Sequence, residues 1–318
     1  MSDTPTPVAQ PGTGSEAAGA AATGGADLGS AGHEASLWSD AWRQLRRNPL
    51  FIISATTILV FTLMALFPQL FLWFYPGNAD PRSCSLSQSV ARPSGAAWFG
   101  FDLQGCDYYA QVIYGARVSM AVGVATVLVS SVIAVFFGSM AGYYGGRIDT
   151  LISRITDIFF GIPLILGAIV FLNAIGERGL FQVTLVLVVF GWMTQLRLMR
   201  SSTIERRDAD FVDAARALGA STSRVITRHI LPNAIAPVIV YGTIFIGIVI
   251  STEATLSFLG VGLQLPAISW GLMINSAFRR ILQVPHLLFF PGLFLSITVL
   301  AFIVLGDALR DALDPRLR

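Results

Sequence analysis

Six apolar blocks, each long enough to cross a bilayer, constrain this chain more than any other feature. They run from about Leu50 to Phe74, Arg117 to Tyr143, Leu151 to Ala174, Phe181 to Met199, Ala234 to Thr252 and Leu287 to Leu309. A hydrocarbon core about 30 Å thick takes roughly 20 helical residues. None of the blocks alternates as a barrel strand does, and an open strand would leave its backbone groups unpaired in lipid. The expectation is an all-α polytopic membrane protein with six transmembrane helices. Composition agrees: charged residues are 13% of the chain, about half the share of a soluble domain.

Charge then sets orientation. Every basic residue is Arg and the net charge is only +2, too little to suggest nucleic acid as a partner. With the N-terminus inside, Arg43, Arg46, Arg47, Arg147, Arg200, Arg206, Arg207, Arg216, Arg224, Arg228, Arg316 and Arg318 fall on cytoplasmic segments. Arg82, Arg92, Arg178, Arg279 and Arg280 fall opposite. That excess follows the positive-inside rule and makes both termini cytoplasmic. The absence of Lys also excludes a P-loop in this chain, whose phosphate-binding Lys cannot be supplied.

The organisation follows. Residues 1–36 are rich in Ala, Gly, Ser, Thr and Pro and read as a disordered cytoplasmic tail. They show neither the basic nor the apolar region of a signal peptide. Residues 37–49 place Leu37, Trp38, Ala41, Trp42 and Leu45 at helical spacing among arginines, the pattern of an interfacial amphipathic helix at the lipid bilayer. The membrane domain fills 50–318. Segments 75–116 and 253–286 face outward, and a long polar loop, 201–233, faces the cytoplasm. Within the spans, Gly138 and Gly142 form a small-xxx-small step for close helix packing. Pro163 and Pro291 are candidate kinks.

The cytoplasmic loop carries the clearest pattern. In DFVDAARALGASTSRVITRHILPN (Asp210 to Asn233), Asp208 or Asp210 is placed to cap a helix. Phe211, Ala214, Ala215 and Leu218 recur at i, i+3, i+4 and i+7, one apolar stripe. Gly219 is placed to end that helix at positive φ. Ser221 or Thr222 then caps a second helix, and Pro232 follows. The residues themselves leave two readings open: a small-residue face for a partner, or a surface helix folded back on its own bundle.

Other unusual residues are few. Glu253 lies at the outer end of the fifth span; intramembrane carboxylates are costly and often functional. It could bind a peptide amino group, face water, or pair with an Arg of another subunit. Arg154 and Asp157, like Asp307 and Arg310, have the spacing of helix-face ion pairs. Cys84 and Cys106 share an outward segment where disulfides form; a bond between them would brace it, and two separate thiols are the alternative. His33, His229 and His286 are too dispersed to meet at one metal, so no metal site is expected.

Asp213-Ala214-Ala215, Gly219 and Leu231-Pro232 together resemble the EAA loop of ATP-binding-cassette (ABC) importer permeases, with Asp213 in place of the family's Glu and His229 where it has Ile. RRNPLFI (Arg46 to Ile52), WFGFDLQGCDYYAQVIYGARVSMAVG (Trp98 to Gly123), AGYYGGRID (Ala141 to Asp149), STEATLSFLGVG (Ser251 to Gly262) and Ser269-Trp270-Gly271 resemble the oligopeptide and dipeptide permease group, closest to its C-type subunit. Cys106 departs from the Arg that group usually carries there. The resemblance implies a type I ABC importer permease fold and a non-catalytic subunit of a bacterial cell membrane. It also implies a second homologous permease, two ATPase subunits or domains that bind ATP and Mg, a substrate-binding protein outside, and a peptide substrate. Phe211, Asp213, Ala214, Ala215, Leu218 and Gly219 would then form the helix that couples to an ATPase. An importer of nickel or another small solute is the rival within the family. A self-sufficient secondary transporter is the rival outside it, but neither inverted repeats nor a midplane ionisable site is evident.

Overall fold

The computed structural model describes residues 42–313. The tail assigned to 1–36, and the first part of the 37–49 segment, lie outside the described residues. What is described of that segment is one helical turn at 42–45. Its Leu45 is buried against Ala308 and Ala312 of the last helix, while Trp42 remains exposed.

Helix α1 (Pro49–Leu66) starts where Asn48 Oδ1 accepts from the Leu50 and Phe51 amides at 2.9 and 3.4 Å, with Pro49 in the first turn. Pro tolerates that position because its missing N–H would be unsatisfied anyway. The first apolar block does not continue to Phe74 as one helix. It breaks at Phe67, and α2 (Pro68–Leu72) follows, since Pro68 cannot donate into the preceding turn.

The longest helix is α3 (Tyr108–Tyr144), 37 residues, or about 55 Å at 1.5 Å per residue. It begins at Tyr108, not near Arg117 as hydropathy suggests, because Asp107 caps it by accepting from the Ala110 amide at 3.1 Å. The added turns are core rather than loop: Tyr108, Ala110, Val112, Ile113 and Ala116 are all buried. Helix α3 therefore extends well past the thickness of a hydrocarbon core.

Two expected spans are broken. The block from Leu151 to Ala174 forms α4 (Gly146–Phe160) and α5 (Leu164–Ile175), which meet at 84°. The break falls at Gly161-Ile162-Pro163, where Pro163 has no amide to donate and biases Ile162 away from helix. The block from Phe181 to Met199 forms α6 (Leu180–Val189) and α7 (Met193–Arg207), bent by 44°. After loop 201–233 come α9 (Ala236–Phe258), α10 (Trp270–Phe278) and α11 (His286–Leu313), α11 running through Pro291. Helix α8 (Asp210–Ala217) lies in the loop.

Among the described residues four helices, α1, α3, α9 and α11, are long and apolar enough to cross a membrane, or up to six spans if each bent pair counts as one. Among the described residues no strand forms; Cys84–Cys106 and Phe101–Asp107 are isolated bridges. The expected close approach of α3 is present. A Cβ on Gly138 would lie 2.8 Å from Leu196 O and Met199 Cβ, and one on Gly142 would lie 2.7 Å from Arg200 O. Those two glycines let α7 lie against the C-terminal part of α3. Charged side chains fasten the same corner. Asp149 of α4 pairs with Arg200 of α7, Asp157 accepts from Arg197 at 2.7 Å, and Arg207 donates to Gly142 O at 3.2 Å. Asp157 thus reaches across to α7 instead of pairing with Arg154 on its own helix.

Candidate coupling site

Loop 201–233 is built around α8. Its N-cap is Ala209, which offers no side-chain acceptor; Asp208 instead closes α7 and pairs with Arg207 at 3.2 Å, and Asp210 sits one position inside the helix. Asp210 and Asp213 still place negative charge in the first turn, where the helix dipole favours it. The C-terminal end is closed by a Schellman motif. The Gly219 amide donates to Arg216 O at 2.9 Å, and the Ala220 amide to Ala215 O at 3.0 Å. Gly219 holds φ +80°, a conformation that costs a residue with a Cβ roughly 1–2 kcal/mol. Ser221 then caps the next turn, accepting from the Arg224 amide. A π-helical stretch, Val225–Ile230, leads to Leu231-Pro232.

The apolar stripe expected along α8 divides in two. Ala215 turns inward with Val212, and Val212 is fully buried against Met199, Val225, Ile230, Ala234 and Val238. Phe211, Ala214 and Leu218 turn outward, with Leu218 89% exposed and Phe211 41% exposed. An eight-residue helix carries both stripes within the 3.6-residue period, so spacing alone does not say which one meets the core. Val212 was the missed residue, and its β-branched bulk beside smaller alanines was the available signal. Asp213 is exposed and accepts from Arg216 at 3.0 Å, and that guanidinium lies 5.6 Å from the Tyr143 ring at the end of α3. Asp213 therefore orients Arg216 against α3 and leaves the outward apolar face clear.

The opposite end of α3 is covered by a compact segment. Cys84 and Cys106 are joined in a disulfide with Cα atoms 4.0 Å apart. Asp102 Oδ1 accepts from the Gln104 and Cys106 amides, each at 2.8 Å. Tyr75 donates to Asp107 Oδ2 at 2.5 Å, so the fully buried cap carboxylate has a second partner. Burial, with the Asp107 carboxylate beside it, pushes the Tyr75 hydroxyl well above its usual range. Tyr75, Trp98, Phe99 and Tyr109 pack ring to ring around this cap.

Glu253 is fully buried inside α9. It accepts from Ser257 at 2.8 Å, Ser269 at 3.1 Å and Ser119 at 3.5 Å. The carboxylate, for which substrate contact, water and an Arg of another subunit were all open, is turned into the chain's own core.

A family profile described as the binding-protein-dependent transport system inner membrane component matches residues 134–318, a span that holds α8 and its flanks. The chain belongs to that family. A second profile, the N-terminal transmembrane domain of oligopeptide transport permease C, matches residues 36–86 of this permease. The oligopeptide transport system permease protein OppC of Bacillus subtilis (strain 168) is 37% identical over 89% of this chain and 91% of its own length. The dipeptide transport system permease protein DppC of the same organism is 39% identical over 89% and 87%. The glutathione transport system permease protein GsiD of Pectobacterium atrosepticum is 36% identical over 88% and 92%. A chain of the MetNI methionine ABC transporter, in an inward-facing structure, shares the fold at a TM-score of 0.53 and 19% identity, covering 64% of this chain and 96% of that one. The protein is a multi-pass integral membrane permease subunit of an ABC importer. It is non-catalytic, and ATP hydrolysis belongs to partner subunits.

Proposed function

We propose that this permease pairs with a second homologous permease to form the membrane path of a bacterial importer for di- and oligopeptides. In this reading each bent pair is one span, which gives six. Both termini and loop 201–233 are cytoplasmic, and segments 75–116 and 253–286 face outward across the cell membrane. A substrate-binding protein docks on the outer face. Two ATPase subunits or domains bind ATP and Mg inside, and one of them receives α8.

The observation that carries the reading is the outward stripe of Phe211, Ala214 and Leu218 on a helix closed by Gly219. A leucine 89% exposed on a water-facing loop is explained by a partner that covers it. Val212 on the other face belongs to one buried cluster with Met199 of α7, Val225 and Ile230 of the π-helical stretch and Val238 of α9, so a pull on α8 is passed through that cluster to the spans. Orientation has its own support. The Cys84–Cys106 bond sits at the N-terminal end of α3 and α8 at its C-terminal end. A disulfide belongs on the oxidising side, which leaves α8 to the cytoplasm, as the arginine distribution requires. The peptide class rests on the names of the relatives. Oligopeptide, dipeptide and glutathione permeases match at 36–39% identity, so the substrate is assigned as a class, not by length.

Uptake of labelled peptides into vesicles that hold this chain with its co-encoded partners tests the proposal, with nickel as a parallel substrate. ATP-dependent peptide uptake that is lost without this chain is the expected result. Nickel uptake without peptide uptake would retain the architecture and move the function to metal import.

A further inference from the structure

Among the described residues, Glu253 is the fully buried acidic side chain inside a membrane helix, near the C-terminal end of α9, and the proposed function gives it no task. No basic side chain pairs with it among the described residues. Its three donors come from three places: Ser119 on α3, Ser257 one turn further along α9, and Ser269, the N-cap of α10. Each of those hydroxyls also accepts a backbone amide. Trp270 N donates to Ser119 at 3.3 Å, Leu263 N to Ser257 at 3.0 Å and Leu272 N to Ser269 at 3.3 Å. A hydroxyl has one proton and two lone pairs. With an amide on the oxygen, the proton is free for the carboxylate, and all three point inward.

The three amides belong to the segment that leaves α9, turns back and enters α10. Other contacts seat the same segment. The Trp270 indole, itself fully buried, donates to Val112 O at 3.0 Å. A Cβ on Gly271 would lie 2.6 Å from Ala254 Cα, so α10 enters against bare α9 backbone. Arg178 Nη1 donates to Gly260 O at 2.9 Å. Burying a carboxylate without a cation is expensive unless its acceptor sites are filled, and here one side chain is the hub that satisfies all three serines together.

We propose that Glu253 is a positioning residue that fastens the 259–270 return and α10 to the outer ends of α3 and α9, so that this outward segment moves with the spans as one body. It acts through the serines and not on the transported molecule. The inference rests on the permease reading only for its transport readout.

The test uses the assembled transporter, in lipid nanodiscs for hydrogen exchange and in sealed proteoliposomes for uptake, comparing wild type, Glu253→Gln and Glu253→Ala. Hydrogen exchange of peptides covering 259–272 reads the fastening directly and does not depend on what is transported. Glu253→Gln keeps Oε1, which takes both of the shorter serine bonds, so exchange there should stay within about threefold of wild type, and uptake with it. Glu253→Ala should raise exchange at least tenfold in that segment and reduce uptake per ATP hydrolysed, with exchange in α8 unchanged. Ser119→Ala, which removes only the α3 arm, gives the same localised rise in smaller measure and serves if Glu253→Ala does not assemble. Unchanged exchange in both alanine variants would overturn the proposal. So would a Glu253→Gln protein that loses uptake while its exchange matches wild type, because the charge itself would then be what transport needs. Absence of peptide uptake in wild type would count against the substrate assignment alone.

Discussion

The two ends of α3 are built to opposite rules. At the outer end, side chains close on one another: a disulfide, a buried Asp107 shared by a helix cap and Tyr75, and Glu253 among three serines. At the inner end, α8 spends Val212 and Ala215 on the bundle and leaves Phe211, Ala214 and Leu218 uncovered. The buried Asp107 and Glu253 carboxylates find their partners within the chain. The α8 face keeps apolar surface that no described residue covers. The contrast teaches how one helix can serve two tasks: a rigid end preserves geometry, and an unfinished end takes it from a partner.

The contrast can be broken most strongly at α8. Phe211→Asp combined with Leu218→Asp should cost the ATPase interface about 2–4 kcal/mol, the scale of a central interface residue, and abolish co-purification of the ATPases. The isolated permease should keep its thermal stability, because neither side chain is buried in it. A comparable fall in that stability would mean the face belongs to the fold.

Next in size is the disulfide. Cys84→Ser with Cys106→Ser should lower stability by about 3 kcal/mol, as expected for a closed loop of roughly 20 residues. Reductant should reproduce the loss in wild type and do nothing further to the variant, read by thermal unfolding in detergent. Gly219→Val follows, at roughly 1–2 kcal/mol or somewhat more for a β-branched residue at positive φ. No atom lies within 4 Å of the added Cβ, so the backbone alone is strained. The complex should assemble, and ATP hydrolysis should continue with little uptake. Full uptake by a stable Gly219→Val complex would show that the end of α8 carries no motion.

The smallest effect belongs to Tyr75. Its hydroxyl is held neutral above its ordinary value of 10.0. Below that pH the folded and unfolded states carry the same proton and nothing changes. As pH rises past about 10 the unfolded chain loses its proton first, so stability should fall. Tyr75→Phe should flatten that alkaline fall in a pH series of unfolding midpoints, at the cost of about 1 kcal/mol near neutrality for the lost bond to Asp107.

Much of this was legible beforehand, for stated reasons. Hydropathy located the membrane helices because lipid demands about 20 apolar residues wherever a chain crosses it. Gly219 was legible because few residues other than glycine tolerate φ +80°. The Gly138 and Gly142 step was legible because backbones approach only where side chains are missing. What failed was anything that required a neighbour. Pro163 marked a kink, but the 84° turn it permits depends on α7 offering Arg197 and Arg200 to the aspartates of α4. The stripe on α8 was found whole, yet its division between core and solvent depended on Met199, Val225 and Ile230. Tyr108 to Ala116 looked like loop because their burial comes from other helices.

The sequence by itself determined that the chain lives in a bilayer and where the helix of loop 201–233 must stop. These are consequences of solvent and backbone, and both act on residues in order along the chain. Only the tertiary structure decided that Glu253 looks inward and Leu218 outward. Both assignments depend on residues brought together from distant parts of the chain, Ser119 with Ser269 in one case and Met199 with Ile230 in the other, and side-chain burial is a property of that meeting, not of either residue's place in the sequence.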